Sequence, residues 1–299
     1  MYDLIIIGAG PAGITASVYA ARKRMNFLVI TKDIGGQAAL SGDIENYTGY
    51  QFITGPDLAA KFEEHMHKFE ITLKENEEVV ELKKKEDKVW VKTNKDTYEA
   101  KTAIIASGKR SRELNVPGEK EFKNKGLTYC ATCDGPLFTG KDVAVIGGGN
   151  SALDATLQLL KIARQIYLIN NTPTLGGDAV MREKVEDAKF VTVLNNAQVT
   201  KIFGERMVSG IKIKRQDREE ALSVEGVFVE IGLIPTSEFA KDVEKNQFGE
   251  IRVNPYNETN IPGIFAAGDV TDVPEKQIII AAGEGSKASL SAFRYLAHS

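Results

Sequence analysis

Residues 3–31 (DLIIIGAGPAGITASVYAARKRMNFLVIT) run from an unbroken apolar stretch through glycines into a helix-period segment, then into a second apolar stretch. Residues 141–170 (KDVAVIGGGNSALDATLQLLKIARQIYLIN) repeat that order. Runs such as LIII and VAVI lack the alternation of a half-exposed strand and predict parallel strands buried on both faces. The turns read Gly8-x-Gly10-x-x-Gly13 and Gly147-x-Gly149-x-x-Ala152. In such a loop the first glycine permits a tight turn and the second lets backbone approach a diphosphate. The small third residue lets the helix pack on the strand. The diphosphate then sits on the amide-rich helix start, where the dipole favours negative charge. One such loop is weak evidence. Two copies, each between a strand and a helix, point to two dinucleotide sites rather than to ligand-free glycine turns.

The remaining pattern completes these folds. Residues 88–100 read as a hairpin, 102–108 (TAIIASG) and 226–232 (GVFVEIG) as strands ending at Gly108 and Gly232. Residues 261–270 (IPGIFAAGDV) give another strand closing on Gly268-Asp269, and 277–297 a long helix. A tail that returns to complete the first fold implies that the second domain is inserted into the first. The expected class is α/β, two Rossmann-like three-layer domains, one nested in the other. A length of 299 residues suits two domains, and 42% hydrophobic with 26% charged residues suits packed cores rather than disorder.

Net charge of −3 gives no clustered basic surface for nucleic acid. The run KKKED at 83–87 reads as a solvated turn. The apolar start is too short to span a membrane and lacks the basic region and cleavage site of a signal peptide. The expectation is a cytoplasmic protein with no membrane partner. In that reducing compartment a lone C-x-x-C is catalytic or metal-binding before it is a structural staple.

Both cysteines, Cys130 and Cys133, lie in one C-x-x-C within residues 127–137 (LTYCATCDGPL). Such a pair can close as a disulfide and open on reduction, and the thiolate is the reactive form. Zinc needs about four ligands, and His65, His67 and His298 have no fitting spacing, so no metal is expected. His65 and His67 sit on a helix-period surface stretch and read as solvated. An inert buried pair remains the plain alternative for the cysteines, and a turn before Gly135-Pro136 the plain alternative for Asp134.

GAGPAG, GGQ at 35–37, ENY at 45–47, CATCDGP, GGGNSA and AAGDV follow one another as in the low-molecular-weight thioredoxin reductases, and the chain resembles that family over nearly its whole length. The tail from residue 258 is most similar to the flavoprotein subunit of alkyl hydroperoxide reductase, whose extra thioredoxin-fold module has no counterpart here. The resemblance implies an FAD-binding domain at 1–114 and 238–299 and an inserted nicotinamide and redox-disulfide domain at 115–237. It assigns Gly8, Gly10, Pro11, Ala12 and Gly13 to the FAD diphosphate, Gly36, Gln37, Asn46 and Gly108 to the flavin side, and Gly268-Asp269 to the ribityl chain. Gln277 and Ile278 would present backbone to the flavin, and Gly147, Gly149, Asn150 and Ser151 would hold the nicotinamide dinucleotide.

The same resemblance makes Cys133 the flavin-proximal sulfur, Cys130 the sulfur that attacks the partner's disulfide, and Asp134 the proton donor. It implies a homodimer, hinges near 115–118 and 234–237 about which the inserted domain rotates, and electron delivery to a separate thioredoxin-like or glutaredoxin-like dithiol protein. The chain departs from the family where NADPH users carry a basic cluster. Here residues 170–176 read NNTPTLG, so a 2′-phosphate finds no cation. NADH is therefore expected over NADPH, with Asn170 bonding the ribose weakly. Lys32-Asp33 likewise stands where an acid would close the first fold's second strand. Alternatives are a ferredoxin- or deazaflavin-fed reductase, a peroxiredoxin-reducing flavoprotein, a thiol oxidase, and a flavin redox sensor without turnover.

Overall fold

The computed structural model describes residues 1–41, 43–216 and 218–298, with backbone alone for Asp43 and Cys133. The chain divides into two compact units, Met1–Arg110 with Ile234–Ser299, and Ser111–Leu233.

In the first unit β1 (Tyr2–Ala9) leads into α1 (Pro11–Arg22) and β2 (Phe27–Ile34), then α2 (Gly55–Met66) and β3 (Thr72–Lys74). The meander β4 (Val79–Lys85), β5 (Lys88–Thr93) and β6 (Thr97–Ile105) follows. In the second unit come β7 (Leu127–Thr128), α3 (Ala131–Asp134), β8 (Asp142–Ile146), α4 (Asn150–Leu159), β9 (Gln165–Ile169), α5 (Ala179–Glu186) and β10 (Val191–Leu194). Three antiparallel strands, β11 (Ala197–Gly204), β12 (Val208–Arg215) and β13 (Arg218–Ser223), precede β14 (Gly226–Val229). The chain then returns to the first unit with β15 (Ile264–Ala266) and α6 (Ile278–His298).

Among the described residues the first unit has a seven-stranded sheet, ordered β3-β2-β1-β6-β5-β4 with β15 also on β6. Strand β6 serves two partners on one side. Its first half pairs antiparallel with β5, Ala100 opposite Val89, and its second half pairs parallel with β15, Ile105 opposite Ala266. The second unit has a five-stranded parallel sheet, β7-β14-β8-β9-β10.

The missing alternation has a direct explanation. In β1, Leu4 and Ile6 enter one core with α1 and α6, while Ile5 and Ile7 enter another with β4, β5 and residues 239–251. In β8, Ala144 and Ile146 face the core of β11 and β12, and Val143 and Val145 face α4. Successive side chains point to opposite faces, so a sheet covered on both sides needs an apolar residue at every step. Among the described residues no helix is long and apolar enough to cross a membrane.

Candidate functional site: two glycine loops and a disulfide turn

The first loop closes by backbone contact. Gly8 has φ +104°, and a β-carbon there would lie 2.3 Å from the Ala106 carbonyl oxygen. One at Gly13 would lie 1.8 Å from the oxygen of Gly8, so helix α1 rests directly on the turn. Gly10 is the N-cap of α1, Pro11 opens the helix and Ala12 is buried; no side chain caps this end and no acid occupies its first turn. Gly36 comes close to Gly10, and a β-carbon on Gly36 would lie 3.2 Å from the Gly10 Cα.

The other first-unit candidates converge on the same sheet edge. Gln37 donates from Nε2 to the Lys109 carbonyl at 3.3 Å, and Asn46 donates from Nδ2 to Gln277 Oε1 at 3.1 Å. Ile278 is the first residue of α6 and packs on Ile44, Ile53 and Leu58. Gly108 accepts from the Thr236 amide at 2.9 Å, where the chain leaves and re-enters the unit. Gly268 and Asp269 form a short turn after β15. Burial raises the pKa of Asp269, with Lys276 and Lys109 pulling it back down. Among the described residues the Asp269 carboxylate has no hydrogen-bond partner. An uncapped helix start and a part-buried carboxylate without a partner are what a diphosphate and a row of hydroxyls require, so these residues fit FAD.

Pattern reading passed over Glu284. This buried carboxylate accepts from the Gly268 amide at 3.2 Å and the Thr271 hydroxyl at 3.3 Å, fixing the turn that carries Asp269. Its signal was present as the one acid in QIIIAAGEG, a stretch otherwise without charge.

In the second unit, Gly147 has φ +141°, and a β-carbon would lie 2.1 Å from the Glu230 oxygen. Gly149 caps α4 with open space around it, and Ser151 is exposed. Asn150 is occupied, its Oδ1 accepting from the Asp178 amide at 2.8 Å. Asn170 does not face outward for a ribose. It is buried, accepts from the Thr172 hydroxyl at 2.8 Å, and donates to the Thr172 carbonyl at 3.1 Å and to Asn195 Oδ1 at 2.8 Å. Its hydrogen-bonding capacity goes into shaping residues 170–174. Glu230, directly after β14, has its pKa pushed up to about 8 by burial and by the neighbouring charge of Asp154.

Cys130 is disulfide-bonded in the structure. Cys133 follows it on α3; its side chain lies outside the described residues. Thr128, buried at the end of β7, accepts from the Cys130 amide at 3.1 Å and donates its hydroxyl proton to Asp134 Oδ2. Thr132, between the cysteines, donates to Gln158 Oε1 at 2.9 Å, and Gln158 donates to Asp154 at 2.7 Å. Thr128 lies two residues before the motif and Thr132 inside it, yet hydroxyl residues near a cysteine carry no spacing rule that would have singled them out.

Two dinucleotide loops on parallel sheets, together with a disulfide beside a held carboxylate, define a dinucleotide-dependent disulfide oxidoreductase. The chain belongs to the pyridine nucleotide-disulphide oxidoreductase family, whose model matches residues 2–285. It is 43% identical over 298 residues to a Bacillus subtilis protein named NADH dehydrogenase, covering 99% of this chain and 58% of that protein. It is 42% identical over 302 residues to a Pseudomonas putida protein named as a subunit of alkyl hydroperoxide reductase, again covering 99% and 58%. The thioredoxin reductase of Lactococcus lactis superposes with a TM-score of 0.90 at 31% identity, each chain covered at 100%. The chain thus spans 58% of the length of these two curated relatives. Its fold is that of the thioredoxin reductases, within a family whose members work with FAD and a nicotinamide dinucleotide.

Proposed function

We propose that electrons enter from NADH in preference to NADPH. They leave through the Cys130–Cys133 disulfide to a separate thioredoxin-like or glutaredoxin-like dithiol protein, with the reductant role for a peroxiredoxin system as a close variant. In this reading the first unit holds FAD through Gly8, Gly10, Gly13, Gln37, Asn46 and Asp269, and the second holds the nicotinamide dinucleotide through Gly147, Gly149 and Ser151. The protein acts in the cytoplasm as a homodimer. The observation that carries the reading is the disulfide-bonded Cys130, joined through Thr128 to the Asp134 carboxylate in a chain with two dinucleotide loops.

FAD, when bound, supplies two-electron carriage between a hydride donor and a disulfide. Opening the Cys130–Cys133 bond takes up two electrons and two protons and leaves two thiols. Cys130 as thiolate attacks the partner's disulfide and forms a mixed disulfide; Cys133 then displaces the partner's sulfur, regenerating the internal bond and releasing a dithiol. Asp134 supplies a proton to the departing sulfur. The Cys130 amide donates to Thr128 Oγ1, and the threonine hydroxyl in turn donates to Asp134 Oδ2.

Residues 170–177 contain neither Lys nor Arg, which supports NADH. Anaerobic titration of the flavin-loaded protein with NADH, NADPH and reduced ferredoxin tests the donor: bleaching with NADH at lower concentration than with NADPH is expected, and equal or better efficiency with NADPH refutes the preference. Cys130→Ser and Cys133→Ser should each abolish reduction of a thioredoxin disulfide while NADH still bleaches the flavin. Undiminished disulfide turnover in either variant removes the pair from the mechanism. A second reading, with ferredoxin or a deazaflavin as donor, draws support from the inward turn of Asn170, which leaves the end of β9 without a group for the ribose. Bleaching by reduced ferredoxin alone would establish it.

A further inference from the structure

A charged triad lies beside Asp269 in the first unit. Lys109 Nζ and Lys276 Nζ approach the same oxygen, Oε1 of Glu250, at 3.1 and 3.2 Å. Asn246 donates to the other oxygen at 2.7 Å, and Lys276 also donates to the Thr271 carbonyl at 2.5 Å. The side chains of Lys109, Glu250 and Lys276 are only 15%, 14% and 24% exposed. Burial works to raise the Glu250 pKa, but the hydrogen bonds from Asn246, Lys109 and Lys276 outweigh it and hold the group ionised. Both lysines act electrostatically on Asp269. Lys109 presents its carbonyl to Gln37, and Lys276 directly precedes Gln277, which accepts from Asn46.

Withdrawing three charged groups from water carries a desolvation penalty, and apolar residues of like volume commonly do as well or better for stability. Two ammonium groups on one carboxylate leave this triad one unit positive. The excess charge lies among the residues assigned to the flavin side.

Resting on the assignment of FAD to the first unit, we propose that Lys109 and Lys276, held in place by Glu250, are electrostatic positioning residues. They favour the reduced form of bound FAD over the oxidised form. Uptake of two electrons and one proton makes bound FAD one unit more negative, so a fixed positive charge nearby stabilises the reduced form more than the oxidised one. Glu250 opposes the lysines in sign while holding them in position. Removing it and removing them therefore have opposite effects, which a purely structural role does not produce.

The test is the two-electron midpoint potential of the flavin-loaded protein, read anaerobically against a reference dye, for Lys109→Met, Lys276→Met and Glu250→Gln. Each lysine variant should lower the reduced-to-oxidised ratio at fixed poise about tenfold, as expected for one charge about 12 Å away at an effective dielectric near 20. That corresponds to a shift of about 30 mV for a two-electron couple. Glu250→Gln should raise the ratio by a similar factor. Ratios that stay within about twofold of the parent, a shift of less than about 9 mV, or potentials that move in one direction in all three variants, overturn the proposal. Should a methionine variant lose FAD, the near-isosteric Glu250→Gln still decides, since an unmoved or lowered potential there is also fatal. A parent protein that takes up no FAD refutes instead the assignment on which the proposal rests.

Discussion

The two glycine loops share one backbone design and sit in different electrostatic surroundings. Each has a first glycine at positive φ whose β-carbon would strike a neighbouring carbonyl, and each opens a helix that no side chain caps. Around the first loop the chain gathers charged groups of both signs: Asp269, the Lys109–Glu250–Lys276 triad and the buried Glu284. Around the second it places a part-buried acid, Glu230, that keeps its proton to about pH 8, and an asparagine turned inward. The shared loop provides for a diphosphate. In the proposed assignment, what surrounds it would distinguish a site for a tightly held, charge-changing cofactor from a site for a dinucleotide that comes and goes.

The comparison breaks most readily at the third loop position. Gly13→Ala forces a β-carbon to within 1.8 Å of a backbone oxygen, and should cost about 4 kcal/mol or abolish soluble protein, read by urea denaturation with and without added FAD. A loss below about 1 kcal/mol would show that the first helix can move off its turn.

Glu230→Gln sharpens the electrostatic half. Burial raises this carboxyl above its unfolded value, so between about pH 4.5 and pH 8 the folded state binds the extra proton and stability falls as pH rises. The variant should match the parent near pH 5 and exceed it at pH 9 by about 2 kcal/mol, after allowance for partial exposure. Parallel stability curves across that range would contradict the buried acid.

Asn170→Ala should cost about 1.5 kcal/mol by leaving Thr172 and Asn195 unsatisfied, while the KM for NADH changes through the loop and not through a lost ribose contact. Rescue of the NADH KM by Asn170→Asp without loss of stability would show that the side chain can turn outward. The smallest effect belongs to Ala152→Gly, about 1 kcal/mol from helix propensity together with the loss of one buried methyl. Its contrast with Gly13→Ala measures how differently the two helices lean on their turns.

Much of this was legible in the chain. Loop positions, buried parallel strands, nesting and the lone C-x-x-C follow from local pattern, because glycine spacing and apolar periodicity are short-range signals. Asn170 misled for a physical reason: an amide at a strand end is equally able to reach a ligand or to cap its own loop, and only packing under Gly148 decides. Thr128 and Glu284 escaped because their value lies in the partner they meet. Thr128 meets a carboxylate six residues away across a turn, and Glu284 an amide sixteen residues back.

By itself, then, the sequence determined which backbone turns form and which sulfurs can pair, since glycine conformation and cysteine spacing are properties of a few consecutive residues. Only the tertiary structure decided where charge is compensated and where an acid keeps its proton. Lys109 stands 141 positions before Glu250 and Lys276 well after it, and the folded first unit alone brings them to a shared oxygen.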